Sequence, residues 1–404
     1  MRPMFLAATL FATTAGLPAA AQADGSSALT VLTGGEASDL SFGRSVDVAG
    51  DRVLVGAPGA ARLGENTGAA FLFEFDGAAW TRTRLDAPDG APGDRFGWRV
   101  AILDERLVIA APWARDADGG REGALYVFER GAQGWDSRRL TTDQTAGEAQ
   151  LGRSLASDGA RIYAGAPFDD NDGGEQAGAV FVFNETSAGW RGEKLLSGSA
   201  APGGWFGLNV AVDRKAPGAG PADAVLASGY ATDRGGREEV GAASLFLETD
   251  GGWRETDLTA GVTLEARDHF GRGLAVDEAV LFVGAEEDDN ANGADAGGVH
   301  VFNAEALPAR RTLVTRPGGG PRQYFGFLVA ADAGWMASGA SDRVNVFRHG
   351  PDGVDPAGAL RKRTGRRLSA AISGLALAEG RLVVGAPRAG PSGAGEVWIH
   401  ALEP

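Results

Sequence analysis

Apolar and polar positions in this chain alternate in short runs, with little of the wider spacing that marks a helix. Gly123-Ala124-Leu125-Tyr126-Val127-Phe128 has the period of two expected of a half-buried strand. It belongs to a set of four such runs between Phe96 and Leu140. Trp98 to Leu103 reads as a first strand and turns at Asp104-Glu105. Arg106 to Ala111 reads as a second, stopped by Pro112, which has no backbone donor to extend a ladder. A polar loop from Ala114 to Glu122 precedes the third, Gly123 to Phe128. A turn at Gly131 to Gly134 leads into the fourth, Trp135 to Leu140. The pattern predicts four short antiparallel strands.

That unit recurs along nearly the whole chain. Its opening aromatic-Gly pair stands at Phe42-Gly43, Phe96-Gly97, Leu151-Gly152, Phe206-Gly207, Phe270-Gly271 and Phe325-Gly326, with a decayed copy at Ser373-Gly374. A repeat of roughly 54 residues means stacked supersecondary units, none able to bury its apolar face alone. Four-stranded units repeated radially predict an all-β, seven-bladed β-propeller. Trp80/Leu85, Trp135/Leu140, Trp190/Leu195 and Trp253/Leu258 mark the fourth strands, and their shared register predicts packing between blades. The last unit ends one strand short, after Gly374 to Ala378, Arg381 to Ala386 and Glu396 to Leu402. A spare strand at Ala28 to Leu32 is expected to complete it and close the ring. Blade four carries an insertion, Arg214 to Ala222, and the loop between the second and third strands of blade six shrinks to about Ser341-Asp342.

The pairs Phe-Gly, the triplets Gly56-Ala57-Pro58, Gly165-Ala166-Pro167 and Gly385-Ala386-Pro387, and the run Gly178 to Phe183 together resemble the FG-GAP repeat. This is the repeat of the integrin α-subunit propeller and of many exported bacterial proteins. The resemblance covers residues 28–404 and implies a seven-bladed propeller with an extracellular binding or adhesion role. Integrin-type repeats often carry a DxDxDG calcium loop between their first two strands. The corresponding hairpins here, such as Ala49-Gly50-Asp51-Arg52 and Ser157-Asp158-Gly159, hold no such cluster. Those calcium sites do not transfer by position.

Residues 1–23 read as a secretory signal: Arg2, an apolar run from Met4 to Leu17, and a small-residue cleavage site at Ala21-Gln22-Ala23. The propeller would then occupy residues 24–404, and the protein is expected in the periplasm, at the cell surface or outside the cell. The apolar run is too short to span a bilayer, and no later segment qualifies. The chain has no cysteine, which excludes disulfides and thiol chemistry. With 38 Lys+Arg against 53 Asp+Glu, its formal net charge of −15 argues against nonspecific nucleic-acid binding. A monomer is the default expectation.

Acidic residues gather in the loops between second and third strands: Asp116, Asp118 and Glu122 in blade two, Asp169, Asp170, Asn171, Asp172 and Glu175 in blade three. In blade five, Asp288-Asp289-Asn290-Ala291-Asn292-Gly293 matches D-x-[DN]-x-[DN]-G, with Asp295 as a further candidate ligand. Carboxylates on alternate residues of a bent loop can converge on calcium. The competing reading is a solvated turn whose Asp, Asn and Gly serve backbone geometry. Strand parity puts these loops on one face of the disc with Asp86, Asp89, Asp94, Glu148, Glu265 and Asp268, predicting an acidic end that serves as the ligand surface. The run Arg361-Lys362-Arg363-Thr364-Gly365-Arg366-Arg367 can grip an anionic partner or simply be a solvated edge.

No catalytic motif is apparent. His300 aligns with Tyr126 and Phe181, and His400 with Phe183, so both read as packing positions. His269 occupies a variable corner before Phe270. Trp98, Trp113 and Trp205 lack counterparts in most copies and are the better candidates for exposure, although large aromatics mostly bury. The expected function is a non-enzymatic module that presents the loops of one face to a protein or glycan. The rivals are an enzyme at the central channel and a structural envelope protein.

Overall fold

The computed structural model describes residues 29–36, 38–213, 224–307, 311–341, 343–350, 353–360, 372–390 and 393–402. The N-terminal segment read as a signal, the blade-four insertion and the basic run before blade seven lie outside them. The strands form seven sheets of four antiparallel strands, and six of the sheets each take four consecutive strands. The seventh combines Gly374–Ala378, Arg381–Ala386 and Glu396–Ala401 with the N-terminal strand Thr30–Leu32, whose Thr30 faces Ile399. The ring closes as expected. Blade two, with strands Arg99–Leu103, Arg106–Ala111, Ala124–Gly131 and Gly134–Leu140, shows the common plan. Blade six has the predicted short connection between Trp335–Ala340 and Arg343–Gly350.

The core is divided among the blade interfaces. Seven apolar clusters are present, each built from two neighbouring blades. The register tryptophans Trp80, Trp135, Trp190 and Trp253 are partly buried against these clusters, as their repetition predicted. The repeated phenylalanines lie deeper. Phe42 is fully buried and meets Phe71 edge-on at 5.5 Å, and Phe96 meets Tyr126 at 5.3 Å. Truncating such a ring costs about 3–5 kcal/mol.

The glycines after these rings set how closely blades approach. Gly97 has φ +87°, and a Cβ there would overlap the Ala69 carbonyl of the preceding blade. Its own carbonyl fills the space where a Cβ on Gly56 would stand. Only glycine fits either position. Aspartates add clasps between blades: Ile102 N donates to Asp47 Oδ2 at 2.7 Å, and Gly334 N to Asp277 Oδ2 at 2.8 Å.

The first strands of all seven blades enclose a central channel of about 190 Å³, lined by Val46, Val100, Leu155, Val210, Leu274 and Val329 among others. Strand parity gives the disc two distinct ends. Turns joining strands one to two and three to four make a hairpin face, and the remaining connections make a loop face. Among the described residues no helix is long and apolar enough to cross a membrane.

Candidate functional site

The loop-face mouth of the channel is built from one recurrent turn. In the segment X-Phe-Gly-Y the amide of Y donates to the carbonyl of X, as in Arg44 N to Ser41 O at 3.0 Å and Arg153 N to Gln150 O at 3.1 Å. This sets X and Y side by side at the start of the innermost strand. Six X residues, Ser41, Arg95, Gln150, Trp205, His269 and Tyr324, have φ between 51° and 64°. That left-handed conformation costs a non-glycine residue on the order of 1 kcal/mol, and it recurs here with large polar or aromatic side chains. The Y residues include Arg44, Trp98, Arg153 and Arg272.

Blades one to three gather these side chains around two tryptophans. Trp98 and Trp113 meet edge to face at 4.6 Å. The Arg44 guanidinium lies 4.1 Å and that of Arg153 4.5 Å from the Trp98 ring centre, while Arg95 lies 4.6 Å from that of Trp113. Such contacts are worth about 0.5–2 kcal/mol apiece. Arg99, the next residue inward, donates to the Trp98 carbonyl at 3.2 Å. Among the described residues, no carboxylate lies within ion-pair distance of Arg44, Arg95, Arg99 or Arg153.

The electrostatic consequence is strong. Burial, with Arg153 and Arg272 adding like charge, pushes the Arg44 guanidinium down to about 10. Burial and then Arg44 hold Arg99 well below the ordinary arginine range, and burial lowers Arg153. All of these side chains are only half-buried, because the channel mouth keeps them in contact with water. Two donors at the same place, Trp98 Nε1 and Arg153 Nε, are buried without a hydrogen-bond partner. A cavity of about 450 Å³ opens beside them, lined by Ser41, Arg44, Asn66, Arg95, Trp98 and Arg388 among others. The arrangement can bind an anion.

Across the mouth, blade five is mixed in charge. Arg272 lies 4.7 Å from the Tyr230 ring centre and its Nε is 2.8 Å from Glu286 Oε1. His269 stands 3.6 Å from Glu239, 3.7 Å from Glu286 and 3.9 Å from Glu287. Tyr230 and Glu286 occupy the places that Pro58, Pro112 and Pro167 hold in other blades.

The sequence-predicted loop residues are engaged in turns. Asp116 Oδ1 accepts from Asp118 N and Gly120 N at 3.0 and 2.7 Å, and Asp118 itself is exposed. Asp169 is fully buried; its Oδ2 is 2.6 Å from Lys194 Nζ and its Oδ1 accepts from Ala146 N at 2.9 Å. Asn171 and Asn290 turn their amide nitrogens inward, donating to Gly178 O and Gly297 O at 2.9 Å. Asp288 Oδ2 sits 3.0 Å from His300 Nε2, Asn292 Nδ2 donates to Arg316 O at 3.0 Å, and Asp295 N donates to Asp289 Oδ1 at 2.8 Å. Among the described residues no three His, Asp or Glu side chains are grouped to hold a metal. Inward-facing N–H groups and a histidine or lysine beside the deepest carboxylate do not suit a calcium sphere.

The acidic loop face is likewise rearranged by radius. Its carboxylates lie outside the mouth and are bonded: Asp86 to Arg84 at 3.0 Å, Asp89 to Arg139 at 2.7 Å and Tyr126 at 2.8 Å. Asp94 and Asp268 accept from the backbone of their own loops at 2.8 and 2.5 Å. The centre of that face is basic. Parity assigns a residue to a face; only ring closure assigns its distance from the axis. Of the three idiosyncratic tryptophans, Trp98 and Trp113 enter the arginine cluster and Trp205 packs against Phe168 at 5.6 Å.

A family model described as the FG-GAP repeat matches residues 31–73, 80–128 and 254–302. The chain is a seven-bladed propeller with three matches to the FG-GAP repeat. Each matched stretch passes through one mouth turn, bringing in Arg44, Trp98 and Arg272. Among solved structures, the β-propeller domain of the trilobed protease from Pyrococcus furiosus, described as having an open velcro topology, matches with a TM-score of 0.54. The identity is 9%, over 89% of this chain and 92% of that one, a likeness of fold alone. No curated protein matches this chain.

Proposed function

We propose that this FG-GAP propeller is an exported, non-enzymatic binding module that holds a protein or glycan by an acidic group at the centre of its loop face. One observation carries the reading: Arg44, Arg95, Arg99 and Arg153 converge with no counterion among the described residues, in a protein whose net charge is −15. Elsewhere such burial of like charge is removed by pairing or by deprotonation. Here it is held in place by strained turns, as expected of a preorganised receptor. The apolar, signal-like segment of residues 1–23 supports export. Calcium has no part in this reading.

The test is a binding screen of envelope proteins and glycans against the mature protein and an Arg44→Gln/Arg153→Gln variant. A ligand found with the wild type should bind the variant at least about tenfold more weakly, as expected for desolvated charge pairs. Equal binding by the variant refutes the central site.

A second reading, catalysis at the channel, draws on His269 beside three carboxylates and edge-on to Tyr230 at 5.9 Å. It requires turnover of a captured ligand that His269→Asn abolishes while binding persists.

A further inference from the structure

Resting on that reading, we infer that the acidic group is a terminal tetrahedral oxyanion, a sulfate or phosphate ester, seated among Arg44, Arg153 and Trp98 on an otherwise neutral or basic carrier. Three observations narrow the ligand this far.

First, the arginines present edges. Arg44 and Arg153 both stack on Trp98, and Arg95 on Trp113, so the aromatic faces that a sugar ring needs for stacking are already covered. Among the described residues no hydrogen bond or ion pair engages the side-chain N–H groups of Arg44, Arg95 or Arg153, and a guanidinium fork matches two oxygens of an oxyanion. Trp98 Nε1 and Arg153 Nε add two buried donors without acceptors.

Second, the charge is multiple. Four guanidiniums with no carboxylate partner among the described residues converge where a singly charged carboxylate, with two oxygens, would leave most donors unanswered. A group with three terminal oxygens, singly charged in a sulfate ester and nearly doubly charged in a phosphate monoester, answers more of them.

Third, the surroundings do not welcome a continuing anionic chain. Inward of Arg99 the lumen, a space of about 190 Å³, is lined by Val46, Val100, Leu155, Val210 and Leu274 together with Asp47, Asp213 and Asp332, which offer nothing to a continuing anionic chain. Around it lie Asp86 and Asp89, bonded to Arg84 and Arg139, and across the mouth Glu239, Glu286 and Glu287, so a polyanion running across the face meets carboxylates on leaving the centre. The anionic group must therefore end the ligand.

The experiment is calorimetric titration and thermal melting of the mature protein at pH 7 with sodium sulfate and sodium phosphate. Sodium chloride at matched ionic strength and heparin at matched sulfate concentration serve as comparators. The expected result is saturable binding of sulfate, phosphate or both, with a rise in Tm at low millimolar concentration. Arg44→Gln/Arg153→Gln, which must itself melt cooperatively, should lose that response; this also removes the general stabilisation by sulfate from the comparison. Phosphate binding should strengthen from pH 6 to 8 as its second proton leaves, and sulfate binding should not, which separates the two sources. Heparin should bind no more tightly per sulfate than the free ion.

Equal shifts from chloride, an undiminished response in the double variant, or tighter binding of heparin would each overturn the inference. If no oxyanion binds while the variant still loses a ligand found by the screen, the oxyanion assignment falls and the central site stands. If the variant keeps that ligand, the site falls as well.

Discussion

The two faces of this propeller use arginine in opposite ways. On the hairpin face, the arginine opening a second strand reaches into the adjacent blade and finds an acceptor. Arg52 donates to Asp104 O at 2.6 Å, Arg106 to Glu185 at 2.7 Å, Arg161 to Glu248 at 2.7 Å and Arg381 to Asp51 at 2.8 Å. At the loop-face mouth, Arg44, Arg95, Arg99 and Arg153 are packed on tryptophan and on one another. Burial pulls Arg161 down, but the Glu248 hydrogen bond together with the electrostatic pull of Tyr163, Glu248 and Asp158 outweighs it and the net shift is upward. For Arg44 no partner offsets burial and the shift is downward, to about 10. The paired set staples blades together. The unpaired set is charge held ready for something that is not part of the chain.

The strongest way to break this contrast is the double substitution Arg44→Gln/Arg153→Gln. If the mouth arginines were structural, the variant would melt lower. We expect it to be more stable in anion-free buffer by about 2 kcal/mol, because uncompensated buried charge is removed and the lost stacking on Trp98 offsets only part of that gain. Urea unfolding reads the sign directly. Gln150→Glu would turn the unpaired region into a paired one by placing a carboxylate beside Arg153 across the turn. A gain of about 1 kcal/mol together with loss of anion binding is expected, and retention of anion binding would separate the site from Arg153.

Asp268 tests the acidic side of the same face. Its carboxyl is pushed up to about 7, chiefly by burial, with Asp288 and Glu265 adding negative charge. The folded state therefore holds the proton more tightly than the unfolded chain does. Stability conferred by the protonated form is present below the unfolded value of 3.8 and is lost as pH rises through about 7. Asp268→Asn should thus raise stability by about 1 kcal/mol at pH 8 and change it little at pH 4, read as Tm at each pH. The smallest effect is on the hairpin face. Arg161→Ala should lower stability by about 0.5 kcal/mol, with the loss shrinking in high salt.

The blades are legible in sequence because their chemistry is local and repeated. Phe96-Gly97, the proline after the second strand and the alternation of Leu125 to Phe128 each describe a strand end or a buried face wherever they occur. His300 follows the same logic: it replaces Tyr126 and Phe181 at a packing position and meets Phe270 edge-on at 5.3 Å. The mouth is not legible that way. Arg44, Trp98 and Arg153 stand immediately after the repeated glycine, one position past the motif, and each alone reads as an ordinary residue at a strand start. Residues some 50 positions apart meet only when neighbouring blades pack. A signal was nonetheless present, since aligning the copies on Gly43, Gly97, Gly152 and Gly271 puts Arg, Trp, Arg and Arg in one column. The acidic loops drew attention because Asp and Asn are conspicuous there, but Asp116, Asn171 and Asn290 act as turn formers through bonds to nearby backbone.

The strand Thr30–Leu32 carries a consequence in time as well as in space. Its pairing with Val397 to Ile399 joins segments more than 300 residues apart, so the last sheet waits for both ends of the polymer. A nascent chain can assemble blades one to six in sequence and still leave the seventh open, with the edge of Glu396–Ala401 unpaired. Only a chain made as far as Glu396–Ala401 can lock the ring, although the neighbours of Arg44 in blades two and three are already in place.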